Sequence, residues 1–489
     1  MVPPVGSSGR SALAVARFWL RLVALPVACF AFMGFALAQS GRADLRVEPL
    51  SPRLETGSVR TPLLSIRRLP NVVALPTHKT VVRAKALAAL TGLPLERTCA
   101  SVMNSRGHAV FEHNASLLLS PASNEKVLLA YGALTELGPT RTFTTSLATD
   151  APLVKGSIKG NIWLIGRGDP VLASEDYVGS FVDQQRVYSP FESLADQLVT
   201  AGITSIEGKI VADASRYDDV LYHPNWPSRF GANGVVGPIS ALALDNGFAD
   251  FSRGGQDMAG SGAPSSNPPL TAAAVLIDLL QARGINVDGG PDVGTAPKAS
   301  AVIAQLQSPP LKDIAGQMLR TSDNTIAEML FKELGASRAG QGSFAGGAAA
   351  LGAILSDQGL RPSGMVISDG SGLDTANLVP CSTLNAVLHA SGLSSDLAAS
   401  LAVAGRSGTL KSRFADSAAA GKVLAKTGTL GSVSSLAGFA DTTSGESVTF
   451  AIVINESGAE QYKLIEEAFV TSLLDFPGGP AVQSLMPLG

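Results

Sequence analysis

The chain of 489 residues is short of cysteine, histidine, aromatics and charge, and each shortage removes a class of chemistry. Its three cysteines, Cys29, Cys99 and Cys381, make no CxxC or CxxxC pair. Its five histidines (His78, His108, His113, His223 and His389) fall into no HExxH or comparable spacing. Zinc sites need such spacings because their ligands must converge on one ion, so no metal and no other cofactor is expected. The formal net charge is only −3, which gives no electrostatic footprint for nucleic acid or for a polybasic membrane contact. No internal repeat is present, and beyond the N-terminal segment no apolar run is long enough to anchor the chain in a bilayer.

The first 38 residues differ from the rest. Arg10, Arg17 and Arg21 are their only charged residues, and an apolar run from Leu22 to Ala38 ends in Ala36-Leu37-Ala38 before Gln39. A basic start, an apolar stretch and a small-residue site together predict a secretory signal cut after Ala38. A membrane span is the alternative, but the run is short for one and Pro26 and Gly34 interrupt it. Taking three of the 37 basic residues away leaves 34 against 40 acidic ones, a mature charge near −6. Cys29 leaves with the signal. Cys99 and Cys381 remain, and an oxidising compartment permits a bond between them without spacing alone placing them in reach.

Residues 39–75, with Pro49, Pro52, Pro62 and Pro70, read as an extended leader. A first α/β segment over 76–147 opens with a helical pattern and two strands around a Ser105-Arg106-Gly107 turn. Residues 148–300 carry short strand-like pieces and many turns, as in SIKGNIWLIGRGDP and SIEGKIVADASRYDD. From 301 to 489 helices return, followed by three strand-like runs, KVLAKTG, SVSSLAGFAD and SVTFAIVIN, and a closing helix. This order predicts one α/β domain, an antiparallel sheet flanked by helices, interrupted by a β-rich module.

Three short motifs carry the chemistry. SPASNEKVLLAYGAL reads as a helix start that puts Ser123 and Lys126 three residues apart on one face. Such a pair is also what a solvated helix entrance looks like. A nucleophilic serine needs a base, and a lysine serves as one only if burial or a nearby cation lowers its proton affinity. KTGT supplies that cation in Lys426, with Gly428 allowing close approach to the backbone. TSDN supplies Ser322, able to pass a proton to a leaving group, and Asn324, able to hold a substrate backbone. The other SxN triplet, Ser265-Ser266-Asn267, lies in a Pro/Ser/Gly-rich loop. GRSGT at 405–409 is no nucleophile elbow, because its spacing is wrong and no strand precedes it.

The order SxxK, SDN, KTG resembles that of class A β-lactamases and penicillin-binding proteins. Together with the GRGDP turn at 166–170, EGKIVAD at 207–213, ISDGSGLD at 367–374 and AGRSGTLKSRF at 404–414, it is similar to the low-molecular-mass class C penicillin-binding proteins. These are D-alanyl-D-alanine carboxypeptidases and endopeptidases of the penicillin-binding protein 4 type. The 195 residues between Lys126 and Ser322, positions 127 to 321, suit that class.

The resemblance implies a penicillin-recognising, β-lactamase/transpeptidase-like domain with inserted modules. Ser123 would be acylated, with Lys126 as its base, Ser322 and Asn324 as the second element, and Lys426, Thr427, Gly428 and Thr429 as the strand that receives the substrate carboxylate. The backbone N–H groups of Ser123 and Thr429 would form the oxyanion hole. Asp169 is either a substrate-side acid or the cap of its own turn, and Asp369 and Gly370 build a tight turn near the cleft. The implied partners are peptidoglycan stem peptides and β-lactam inhibitors in a periplasmic or extracellular space, with no nucleic acid and no membrane span after processing. The rival readings are a serine β-lactamase, against which the missing ExxLN stretch counts, and a catalytically silent cell-wall binding protein, against which the intact motifs count.

Overall fold

Residues 70–181, 186–250 and 263–477 are described by the computed structural model of the chain. The expected signal at 1–38, and the leader up to residue 69, lie outside them. Helix α1, Pro70–Ala89, begins the described chain, so residues 70–75 are helical rather than extended. Strands β1, Thr98–Asn104, and β2, Ala109–His113, form the hairpin around Ser105-Arg106-Gly107. A 3₁₀ turn at Ala122–Asn124 then leads into α2, Glu125–Glu136. The expected helix at Pro121 thus starts four residues later, after a backbone knot at Ala122 with φ 46°.

Helix α2 is apolar nearly all round: Val127, Leu128, Leu129, Ala130 and Ala133 are each 0% exposed. A helix so patterned is stable only in the interior. Its polar N-terminal residues are carried inward with it, Glu125 and Lys126 included.

The chain then enters a separate sheet built from β3, Thr144–Thr149; β4, Ile162–Ile165; β5, Ile210–Asp213; β6, Pro291–Val293; and β7, Ala301–Gln307. Their order is β6-β5-β4-β3-β7, parallel through β6, β5 and β4 and antiparallel at β3 and β7. A smaller four-stranded sheet lies alongside in sequence, and both share an apolar core that includes Leu164, Leu198, Ile210 and Leu276. Because β7 pairs with β3, this module's sheet runs from 144 to 307: the boundary expected at 148 falls inside β3, and the one expected at 300 falls just before β7. Its two ends are tied together where the Ser308 amide donates to the Phe143 carbonyl at 2.8 Å and the Leu311 amide to the Arg141 carbonyl at 2.8 Å.

The chain returns as helices α3, Leu311–Thr321; α4, Asn324–Arg338; α5, Phe344–Asp357; and α6, Cys381–Ser391. Strands β8, Ala402–Val403; β9, Val423–Leu430; β10, Val433–Asp441; and β11, Ser447–Ile454 complete a six-stranded sheet of order β8-β9-β10-β11-β1-β2. Every neighbouring pair in it is antiparallel. Strand β10 is buried along all but its last residue, because helices cover both faces of the sheet. One face packs on α2, α4 and α6, and the other on α1 and the closing helix α7, Lys463–Leu473, through Phe111, Phe450 and Phe469. Cys99 on β1 and Cys381 at the start of α6 are joined by a disulfide across the first of these interfaces.

Candidate active site

The site lies where the 3₁₀ turn before α2, the junction of α3 with α4, and strand β9 meet. Lys126 Nζ is 3.0 Å from Ser123 Oγ, 2.7 Å from Asn324 Oδ1 and 2.7 Å from the Ser371 carbonyl oxygen. Lys426 Nζ is 2.9 Å from Ser322 Oγ and 2.7 Å from the Thr427 carbonyl. Both ammonium groups are fully buried, while Ser123 and Ser322 are half-buried and reach the surface.

Burial is the main force on both lysines. It pushes Lys126 down to about 8, against the opposing pull of Glu328, Asp369, Asp323 and Glu125. Lys426 is pushed well below its ordinary value by burial and then by the charge of Lys126. A lysine near 8 keeps a minority of neutral amine close to physiological pH, far more than an ordinary lysine, and that form can accept a proton from a hydroxyl it touches.

Local backbone explains how the three segments converge. Ser322 caps α3 in the left-handed region at φ 59°, and Asp323 caps α4 by accepting the Ile326 amide at 3.0 Å. Two helices therefore meet at a sharp corner, whose three residues present Ser322 and Asn324 to the same cleft. The inserted module braces that corner. The Val235 carbonyl accepts from Asn324 Nδ2 at 2.7 Å, the Gly237 amide donates to Thr325 Oγ1 at 2.8 Å, and Asn246 Nδ2 donates to Asp323 Oδ2 at 3.3 Å.

Gly428 shows how tightly β9 presses on the nucleophile's turn. A Cβ there would lie 2.3 Å from Ser435 Oγ, 2.8 Å from the Pro121 carbonyl oxygen and 3.1 Å from the Ser123 amide nitrogen. Ser435 on β10 donates to that Pro121 carbonyl at 2.7 Å and accepts from Asn124 Nδ2 at 2.8 Å. Asn124 and Glu125, which the sequence leaves as variable filler, are thus both buried, and Asn124 pins the turn to the sheet. Thr427 Oγ1 donates to Thr409 Oγ1 at 2.9 Å, and Thr429 is exposed. Strand β8 pairs with β9 only at Leu424 and Ala425, so residues 426–430 have a strand partner on one side alone among the described residues.

The structure therefore brings Ser123, Lys126, Ser322, Asn324, Lys426 and Gly428 together. Asp169 sits apart from this set, in the interior: it is 2% exposed, its Oδ1 accepts the Val171 amide at 3.0 Å, and burial raises its carboxyl to about 6. That is the turn-capping arrangement of the two weighed for it. The Asn267 of the second SxN triplet caps another helix, Pro268–Ala282. Among the described residues no cluster of three or more His, Cys, Asp or Glu is placed to hold a metal ion.

Sequence reasoning missed Glu328 in the layer beneath, while it did place Asp369 in a tight turn near the cleft. Glu328, one turn beyond Asn324 on α4, accepts the Gly370 amide at 3.1 Å and the Ser371 amide at 2.6 Å. Asp369 accepts Trp226 Nε1 and Asn377 Nδ2, each at 2.8 Å, together with the Gly372 and Asp374 amides. An apolar helix carrying Glu at an interior position is the one sequence signal that points to it.

The model of the D-Ala-D-Ala carboxypeptidase 3 (S13) family matches residues 87–263 and 258–474. The chain is 27% identical over 523 aligned positions to a D-alanyl-D-alanine carboxypeptidase of Actinomadura sp. (strain R39), covering 89% of this chain and 94% of that one. It is 29% identical over 367 positions to a carboxypeptidase of Mycobacterium tuberculosis, covering 72% and 74%. Among solved structures, penicillin binding protein 4 of Haemophilus influenzae matches with a TM-score of 0.65 at 25% identity, over 80% of this chain and 98% of that one. A second structure of that protein is complexed with a β-lactam.

Proposed function

The chain belongs to the D-Ala-D-Ala carboxypeptidase 3 (S13) family of serine hydrolases, and on that premise we propose that it acts on peptidoglycan stem peptides through an acyl-enzyme at Ser123. The contact that carries this reading is the 3.0 Å approach of Lys126 Nζ to Ser123 Oγ, made by a lysine that burial holds near 8.

The reaction follows from the groups present. Lys126 takes the Ser123 proton as Oγ attacks the carbonyl carbon of the penultimate D-alanine. The oxyanion forms against the backbone N–H groups of Ser123 and Thr429, donors that need no reorganisation. Ser322, hydrogen-bonded to Lys426, relays to the leaving nitrogen the proton that Lys126 took from Ser123, the C–N bond breaks, and D-alanine departs. Water then cleaves the Ser123 ester. The partnerless edge of β9 receives the substrate backbone as an added strand, and Lys426, Thr427 and Thr429 face its terminal carboxylate. Where the leaving amine belongs to a second stem peptide, the same steps open a cross-link, which is the endopeptidase reaction.

A β-lactam presents a strained amide to the same Ser123 and leaves a slowly hydrolysed ester; the β-lactam complex of the H. influenzae protein supports this extension. The basic, then apolar N-terminal segment supports export to the cell-wall space. No described helix is long and apolar enough to cross a membrane.

Intact-mass measurement after benzylpenicillin treatment tests the reading: one covalent adduct on the wild-type chain and none on Ser123→Ala. Release of D-alanine from a pentapeptide ending in D-Ala-D-Ala should vanish in the same variant. Labelling that survives Ser123→Ala overturns the nucleophile, and rapid turnover of the β-lactam without a lasting adduct favours a β-lactamase.

A further inference from the structure

Lys126 Nζ has three polar neighbours, and they are not equivalent. A neutral amine carries two hydrogens and one lone pair. Asn324 Oδ1 and the Ser371 carbonyl, each at 2.7 Å, are acceptors only, so between them they take both hydrogens. The lone pair is then left facing Ser123, the one neighbour with a proton to give. Whether Lys126 points its basic side at the nucleophile thus depends on where the Ser371 carbonyl stands.

Ser371 is held at both ends: Asp369 accepts the Gly372 amide of the carbonyl's own peptide at 2.8 Å, and Glu328 holds the peptide before it. The Glu328 carboxylate grips the peptide groups on both sides of Gly370 by accepting the Gly370 and Ser371 amides, the latter at 2.6 Å. Glu328 and Asn324 are four residues apart on α4, hence on one face of one helix. A single helix therefore supplies one acceptor for Lys126 directly and, together with Asp369, holds the residue that carries the other. Position 370 has no room for a side chain, since a Cβ there would meet Phe331 Cβ at 2.7 Å and the Ala327 carbonyl at 3.1 Å.

We propose that Glu328 is a positioning residue of the acylation step, which orients the Lys126 amine toward Ser123 through the Ser371 carbonyl. The proposal rests on Lys126 being the base. Lys126 is faced by Glu125 from its own helix, by Asp323 and Glu328 from α4 and its cap, by Asp369 from the 367–374 loop, and by Lys426 from β9. Of the acids, Glu328 does most to hold the proton on Lys126. Glu328 in turn is raised to about 8 by burial and by Asp369, while the Ser371 and Gly370 donors pull it back toward the carboxylate form, and it lies near Glu125 and Lys332.

The test is stopped-flow acylation of the full chain by a chromogenic cephalosporin across pH, with Glu328→Gln, Glu328→Asp and Lys126→Ala compared. Glutamine keeps the shape but offers an NH₂ to one of two amides that are themselves donors, so the 370–371 backbone must turn. Acylation by Glu328→Gln should fall roughly 100-fold, the scale of a small misplacement of a reacting group, with β-lactam binding changed by less than about threefold. The acid limb of the rate should also move to lower pH, because the acid that most holds the Lys126 proton is gone. Glu328→Asp should recover part of the rate.

A Glu328→Gln rate within about twofold of wild type and an unmoved acid limb, with Lys126→Ala inactive, overturns the positioning role while the proposed function stands. Normal acylation by Lys126→Ala overturns the base itself. If Glu328→Gln does not fold, the wild-type Ser371 amide proton, followed by NMR with labelled serine, decides instead. A strongly downfield resonance is expected from a 2.6 Å bond to a carboxylate, and an ordinary one overturns the proposal.

Discussion

At the scale of single residues, the site is governed by how far burial can push a charge. Lys126, near 8, must be neutral to accept a proton, so acylation is expected to rise with pH up to about 8 and to fall below it as the amine protonates. A pH profile of acylation of the wild-type chain checks the sign; a rate that falls as pH rises from 6 to 8 would contradict it. Gly428→Ala should be harsher than its one methyl suggests. The added carbon collides with the Pro121 carbonyl and the Ser123 amide, both backbone, and with Ser435 Oγ. A loss of the order of 100-fold in acylation is expected, with nearly unchanged circular dichroism.

Lys126 with its partners Ser123 and Asn324, and Lys426 with its partner Ser322, were all legible as motifs, because each motif is a local run with its own fixed spacing. Their supports were not. Ser435 reaches Asn124 across 311 positions and Ser371 reaches Lys126 across 245, and contacts at such separations leave no period in the sequence.

At the scale of elements, the corner between α3 and α4 does the placing. Ser322 ends one helix and Asn324 begins the next, with only Asp323 between them. Asp323→Ala removes the cap on the Ile326 amide and the contact with Asn246. It should cost about 1 kcal/mol of stability in urea unfolding and slow acylation by more than that loss of folded protein explains. Unchanged acylation would mean that the corner holds its shape without its cap. The strands of the last meander were legible as short strand-like runs set apart by turn residues such as those between Thr442 and Glu446. The inserted module's limits were less so. Its first and last strands pair with each other, and an antiparallel partner 150 positions away cannot be read from either strand alone.

At the scale of the whole molecule, the disulfide between Cys99 and Cys381 joins parts of the chain 282 residues apart. Spacing could not place this pair; the fold does, by laying α6 against β1. Replacing both cysteines by serine should cost about 2–5 kcal/mol and lower the thermal midpoint, measurable by calorimetry. An unchanged midpoint would show that the packing of α6 on β1 suffices alone.

Strand β1 has its place in the sheet between β2 and β11, so a segment beginning at Thr98 finds one neighbour at once and the other only at Ile454. The same division runs through the site: Lys126 and Lys426 are 300 positions apart, 426 against 126. A ribosome adding about 5–20 residues each second makes the serine roughly 15–60 s before the second lysine. During that interval the chain holds a nucleophile with neither the sheet nor the second lysine. A chain stopped before Ser447 is expected to take up no labelled penicillin even though every motif residue has been made. On this order of synthesis the serine is expected to become reactive only when the last strands of the sheet have been made.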